Sequence, residues 1–124
     1  MTYLWVAIGG ALGTLARFWV SDFFAKLTGP GFPWGTILIN IAGSCLIGWF
    51  AGLTVYGKLS QGGDLRAFLM AGICGGFTTF SAFSLQTIEL LRQGRPGAAA
   101  ANVALSVLLC GVGTALGLQL GRLG

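Results

Sequence analysis

The sequence predicts an all-α integral membrane protein, a four-helix bundle whose third helix is broken. Three observations carry that prediction. Hydrophobic residues make up 55% of the 124-residue chain and charged residues only 8%, against about 25% charged in an ordinary soluble domain. The few charges also cluster, so that 1–16, 27–57, 67–88 and 96–121 contain no Asp, Glu, Lys or Arg. One of these apolar intervals nevertheless holds GGFTTFSAFS at 75–84, a run of glycines and hydroxyls where hydrocarbon leaves every unpaired polar group costly. A helix crossing the hydrocarbon core needs about 20 apolar residues. Residues 1–124 therefore form one transmembrane domain with room for four spans, placed at about 3–20, 34–56, 66–92 and 97–121.

The first span has no Lys or Arg before Arg17, so it lacks the basic start of a cleaved signal peptide. It is expected to end near Arg17, with a loop over about 21–33 containing TGPGFP, whose Gly and Pro cannot continue a helix. Trp5, Trp19 and Trp34 fall near span ends, where interfacial tryptophans concentrate. The second span carries GTILINIAGS at 35–44, which puts Thr36, Asn40 and Gly43 on one helix face with Ser44 at its edge. An Asn inside a span faces the bundle interior. It serves there as an interhelical hydrogen bond or as an N–H donor to a permeating anion, and spacing does not choose between the two.

GKLSQGGD at 57–64 links to the third span. In it, Gly75 and Gly76 each cost about 1 kcal/mol relative to Ala in a helix interior, and Thr78 and Thr79 follow at once. A break is expected near 75–79, with freed carbonyls able to hold a cation as discontinuous transporter helices do. Beyond it Phe80, Phe83, Ser84 and Thr87 share roughly a 100° arc. Ring edges are positive and ring faces negative, so edges with hydroxyl donors make a neutral host that a small anion can enter and leave. The alternative is that the rings pack on neighbouring helices and the hydroxyls bond back to their own carbonyls. After QGRPG at 93–97, the fourth span repeats the polar theme with Asn102 and Ser106.

Small residues recur four apart at Gly9/Gly13, Gly48/Gly52, Gly72/Gly76 and Gly113/Gly117/Gly121, a spacing that lets helix backbones approach closely. Orientation follows the Lys/Arg bias between the two sides. Lys58, Arg66 and Arg122 on one side face Arg17, Lys26, Arg92 and Arg95 on the other. So even a balance predicts insertion both ways up, and an antiparallel, dual-topology homodimer built about an axis in the membrane plane. The formal net charge of +4 belongs to span ends and implies no nucleic-acid partner; the contacts expected are membrane lipid and a second copy. Cys45, Cys74 and Cys110 are far apart and the chain has no His, so no zinc or haem site is expected. No enzyme is expected either, since nucleophile–base pairs and buried acids are absent from the spans.

The segments GGALGTLARF at 9–18, GTILINIAGSCLIG at 35–48 and GICGGFTTFSAFS at 72–84 resemble, nearly end to end, the Fluc (CrcB-type) family of fluoride ion channels. The resemblance implies a dual-topology homodimer with two pores that lets fluoride leave the cytoplasm passively across the cell (inner) membrane, relieving fluoride toxicity. It implies a fluoride pore lined by Phe80, Phe83, Asn40 and Ser106, with Thr79 and Ser84 on the same polar stretch, and Arg17 at the aqueous vestibule. It also implies a structural sodium ion at the dimer axis, held by the main-chain carbonyls of Gly75 and Thr78. Ala82, Cys45 and Asn102 depart from the residues usual in the family. The rival reading, a small four-helix multidrug or cation exporter, requires an intramembrane carboxylate; the third acid, Glu89, lies near the end of its span.

Overall fold

The chain stops and starts its helices with backbone chemistry that glycine and proline impose. The computed structural model describes residues 1–124 and is entirely helical. Helix α1 runs Thr2–Thr28, about two turns beyond the expected end near 20. Asp22 and Lys26, four apart and both exposed, pair at 3.0 Å and support the helix after its apolar stretch is spent. It stops at Gly29, which takes a φ of 76° and donates its N–H to Ala25 O at 3.0 Å, a conformation only glycine adopts without strain. The loop expected over 21–33 therefore shrinks to 29–33. Arg17, expected to end this helix, instead sits about three turns before its end.

Helix α2 covers Trp34–Val55 and is followed by the left-handed Gly57, φ 74°. The third span is two helices. The first, α3 (64–77), begins at Asp64, and its hydrogen bonds widen to a π-helical pattern over Ala67–Cys74. The second, α4, runs Phe80–Arg92. The break lies at Thr78 and Thr79, whose backbones are extended (φ/ψ −84/157° and −150/119°). Gly75 and Gly76, expected to break the helix, are helical. The missing side chain of Gly76 serves packing against α1, whereas a Cβ at Gly75 would meet only Met70 O at 3.8 Å. Helix α4 closes at Gly94, φ 73°, with Arg95 N–H reaching back to Leu90 O at 2.9 Å, a Schellman stop. Pro96 then opens α5 (Pro96–Leu123), where a missing N–H costs nothing.

The four spans pack as two close pairs. Helix α1 lies on α3, so near that a Cβ at Gly9 would sit 2.5 Å from Phe68 O and one at Gly76 2.5 Å from Gly10 O. Helix α2 lies on α5 in the same way: a Cβ at Gly52 would stand 2.6 Å from Leu118 O, and one at Gly121 2.6 Å from the Gly52 Cα. Lipid supplies no hydrophobic drive between helices, so backbone contact of this kind replaces it. Charged and polar ties close the ends. Lys58 Nζ donates to Gly121 O and Arg122 O at 3.3 and 3.2 Å, and Thr2 Oγ1 donates to Asp64 Oδ1 at 2.6 Å.

Only 18 of 124 residues are buried, so most of the apolar surface faces outward. All four spans are long and apolar enough to cross a bilayer, and the molecule is a multi-pass membrane bundle. Gly117→Ala, whose new Cβ meets Cys45 O and Trp49 N, is expected to destroy the monodisperse peak in size-exclusion chromatography of detergent-solubilised protein. Gly111→Ala, which meets nothing within 4 Å, should elute like the native chain; equal behaviour of the two would refute backbone contact as the packing force.

Candidate functional site

Two consecutive extended residues inside hydrocarbon lose their helical hydrogen bonds, and something must replace them. Three side chains do so. Asn40 of α2 spans Thr79 like a strand partner: its Nδ2 donates to Thr79 O at 3.0 Å and its Oδ1 accepts from Thr79 N–H at 2.8 Å. Arg17 of α1 donates through Nε to Gly76 O at 2.9 Å. Thr79 Oγ1 caps α4 by accepting from Ala82 N–H at 3.1 Å, satisfying one of that helix's orphan donors. Ala82 has no hydroxyl, but its backbone amide is what the cap uses.

These substitutions leave particular carbonyls without their usual partners. In an unbroken helix Gly75 O would accept from Thr79 N–H and Thr78 O from Ala82 N–H. Those two amides are turned instead to Asn40 Oδ1 and Thr79 Oγ1. Gly75 is exposed, and Thr78 is half-buried with its side-chain methyl packed against Gly43 of α2.

The break opens a cleft of about 330 Å³ whose walls include Asn40, Ser44, Thr79, Phe80, Phe83 and Ser106. The Phe80 and Phe83 rings stand 5.4 Å apart at 54°, and Phe80 is 78% exposed. No Asp, Glu, Lys or Arg contributes to the wall. Asn40, whose Nδ2 carries two protons, retains one N–H beyond the bond to Thr79. Thus the two readings of Asn40 left open by spacing, helix–helix clamp and donor, are compatible in one residue.

One expected pore member, Ser84, lies elsewhere, and Arg17, expected at the vestibule rather than in the pore, is bound at the break. Ser84 is exposed and outside the cleft wall: at 100° per residue it sits on the far side of Phe80 from Phe83, turned away from α2 and α5. Arg17 is half-buried at the break, bound to Gly76 O, and outside the wall as well. No carboxylate pairs with Arg17; the chain's one ion pair is Lys26–Asp22.

Sequence reasoning missed how Asn102 is used. It is 1% exposed, and its Nδ2 donates to Thr87 Oγ1 at 2.9 Å, bonding α5 to α4. Thr87 donates in turn to Phe83 O at 2.8 Å. The i, i+4 spacing of Asn102 and Ser106 was visible; the partner fifteen residues upstream was not. A second cavity of about 230 Å³, under the turn between α1 and α2, is lined by Thr36, Gln86 and Glu89 among others. The buried Gln86 Oε1 there has no hydrogen-bond partner.

A broken span, a charge-free cleft at the break and glycine-mediated packing define an integral membrane protein with an uncharged cleft at membrane depth. The profile of the family described as CrcB-like protein, Camphor Resistance (CrcB), matches residues 4–118. The chain is 58% identical over 111 residues to a protein of Methylocella silvestris named "Fluoride-specific ion channel FluC", covering 89% of this chain and 85% of that one. A protein of the same name from Rhodospirillum rubrum is 55% identical over 118 residues, covering 94% and 92%. The chain belongs to the CrcB family, and is a multi-pass protein of the inner membrane.

Asn40→Leu keeps the volume but leaves both the N–H and the C=O of Thr79 unpaired at membrane depth. We expect a loss of about 2 kcal/mol, from the cost of unsatisfied buried polar groups, measured as a lower melting temperature of the detergent-solubilised protein. A native melting temperature would show that the clamp is dispensable.

Proposed function

We propose that the chain is a fluoride-selective passive channel that lets fluoride leave the cytoplasm, relieving fluoride toxicity. The observation that carries this reading is the cleft: an apolar-walled opening at membrane depth, supplied with ring edges, an amide N–H and hydroxyls, and free of fixed charge. Fluoride enters an acid-exposed cell as neutral HF, dissociates at internal pH, and is trapped as the anion. A conducting path for it must be attractive enough to enter and weak enough to leave. A lysine at the wall would hold the anion. Positive ring edges of Phe80 and Phe83, the free N–H of Asn40 and the Ser106 hydroxyl attract it without a full charge. The family relatives named as fluoride-specific channels support the choice of ion. An exporter of cationic drugs would need a carboxylate in the cleft, and its wall has none.

The working unit in this reading is a homodimer of oppositely inserted copies, with one pore per cleft. Three features support it. The balance of Lys and Arg is nearly even; Phe80 is largely exposed in one chain; and the break presents Gly75 on an uncovered face. A second copy placed there completes the wall. The same face suits the structural sodium ion, which the Gly75 and Thr78 carbonyls of both copies would hold, since the helical partners of these two carbonyls are bonded elsewhere. A hard cation takes neutral oxygen ligands, and bound there it would join the two breaks. Arg17, by holding Gly76 O, positions the adjoining backbone.

Proteoliposomes loaded with fluoride and made electrically leaky are expected to release it, read by a fluoride electrode, while chloride-loaded vesicles retain their ion. Equal chloride release would rule out selectivity. Phe80→Ile and Phe83→Ile should each slow fluoride release at least about tenfold, the loss of one favourable contact of about 1.4 kcal/mol at the barrier, with an unchanged elution volume. Reporter domains fused to the C-terminus should be active on both sides of the membrane; activity on one side only excludes dual insertion.

A further inference from the structure

Ser106 is held differently from five threonines of the chain. Thr28, Thr54, Thr78, Thr87 and Thr114 each donate to the carbonyl four residues earlier, at 2.8, 3.0, 2.9, 2.8 and 3.0 Å. This back-bond is the default for a hydroxyl in a helix, and it hides the proton. Ser106 does not make it. Its Oγ lies 3.5 Å from the side-chain Oδ1 of Asn102, longer than an ordinary O–H···O bond. Ser106 also lines the cleft.

The orientation of Asn102 is fixed from its other end. The Thr87 hydroxyl proton is committed to Phe83 O at 2.8 Å, so Thr87 Oγ1 can only accept. It accepts from Asn102 Nδ2 at 2.9 Å. The amide therefore turns its nitrogen to Thr87 and its oxygen to Ser106. Every donor in the chain points the same way, from Ser106 to Asn102 to Thr87 to the Phe83 carbonyl. Asn102 itself is only 1% exposed.

We infer that Asn102, oriented by Thr87, is a positioning residue that keeps the Ser106 hydroxyl proton out of its helix and loosely held, ready for an anion in the cleft. The long bond to Oδ1 satisfies the hydroxyl when the cleft is empty and gives way to a charged acceptor, which makes the stronger hydrogen bond. Without the Asn102 oxygen, Ser106 falls back on the carbonyl four residues earlier, as the five threonines do, and its proton is lost to the path. This rests on the reading of the cleft as the fluoride path.

The test is fluoride release from proteoliposomes carrying Asn102→Leu, Thr87→Val and Ser106→Ala, singly and as the N102L/S106A and T87V/S106A pairs. S106A should slow release. N102L and T87V should each slow it about tenfold in the native background, the value of one hydrogen bond to a charged group. In the S106A background each should change it less than about twofold, because coupled residues are not additive. A merely structural role for Asn102 predicts the same loss in both backgrounds, and that result overturns the inference. So does native release by N102L and T87V when S106A is slow, which leaves the path through Ser106 standing. Native release by S106A removes Ser106 from the path and the inference with it. Should N102L fail to elute as a monodisperse species, T87V decides by the same comparison.

Discussion

A peptide unit in hydrocarbon must find its hydrogen-bond partners within the protein, and the architecture follows from how Thr79 finds them. One side chain, Asn40, supplies both a donor and an acceptor to the same residue, which makes two extended residues tolerable between α3 and α4. The clamp draws α2 against the break, and Arg17 draws α1 to the opposite end of it. The cleft is the space that remains where the two halves of the third span part. Its neutrality is linked to its construction: of the three side chains that hold the break, the uncharged Asn40 and Thr79 line the cleft and the charged Arg17 does not.

The glycine contacts set how much freedom that clamp has. Helices whose backbones touch cannot slide without colliding, so α1 fixes α3 and α2 fixes α5 as two stiff pairs. The break and the Asn102–Thr87 bond connect the pairs. Small residues thus provide rigidity, while a handful of amides and hydroxyls provide register. The division matches the physics of lipid, where close packing is the available non-directional force and hydrogen bonds are the directional one.

Much of this was legible in the chain itself. Four charge-free intervals located the spans, and the four-residue glycine spacing named the contact faces. What spacing could not show was which residue breaks the helix. Glycine propensity pointed to Gly75 and Gly76, yet close approach to Gly10 of α1 makes Gly76 a packing residue, and the extended backbone falls on two threonines that Asn40 can reach. Tertiary contact overrode local preference there. The end of α1 was misjudged for a related reason: hydropathy marks where lipid stops, whereas the Asp22–Lys26 pair carries the helix on into water. Ser84 shared an arc with the rings, but an arc does not say which of its edges faces the neighbours. The Asn102–Thr87 bond joins positions fifteen apart on separate helices, a relation no periodicity encodes.

Arg17 has a consequence beyond the bond it makes. A hydrogen bond to a carbonyl satisfies a guanidinium's geometry without cancelling its charge, and no carboxylate stands beside it. In a low-dielectric slab such a charge is felt across many ångströms, since neither water nor salt screens it well. Arg17 thus places a positive charge beside the break although it never enters the cleft. An anion in the cleft gains from that charge, while the cleft wall itself carries no charged side chain to trap it.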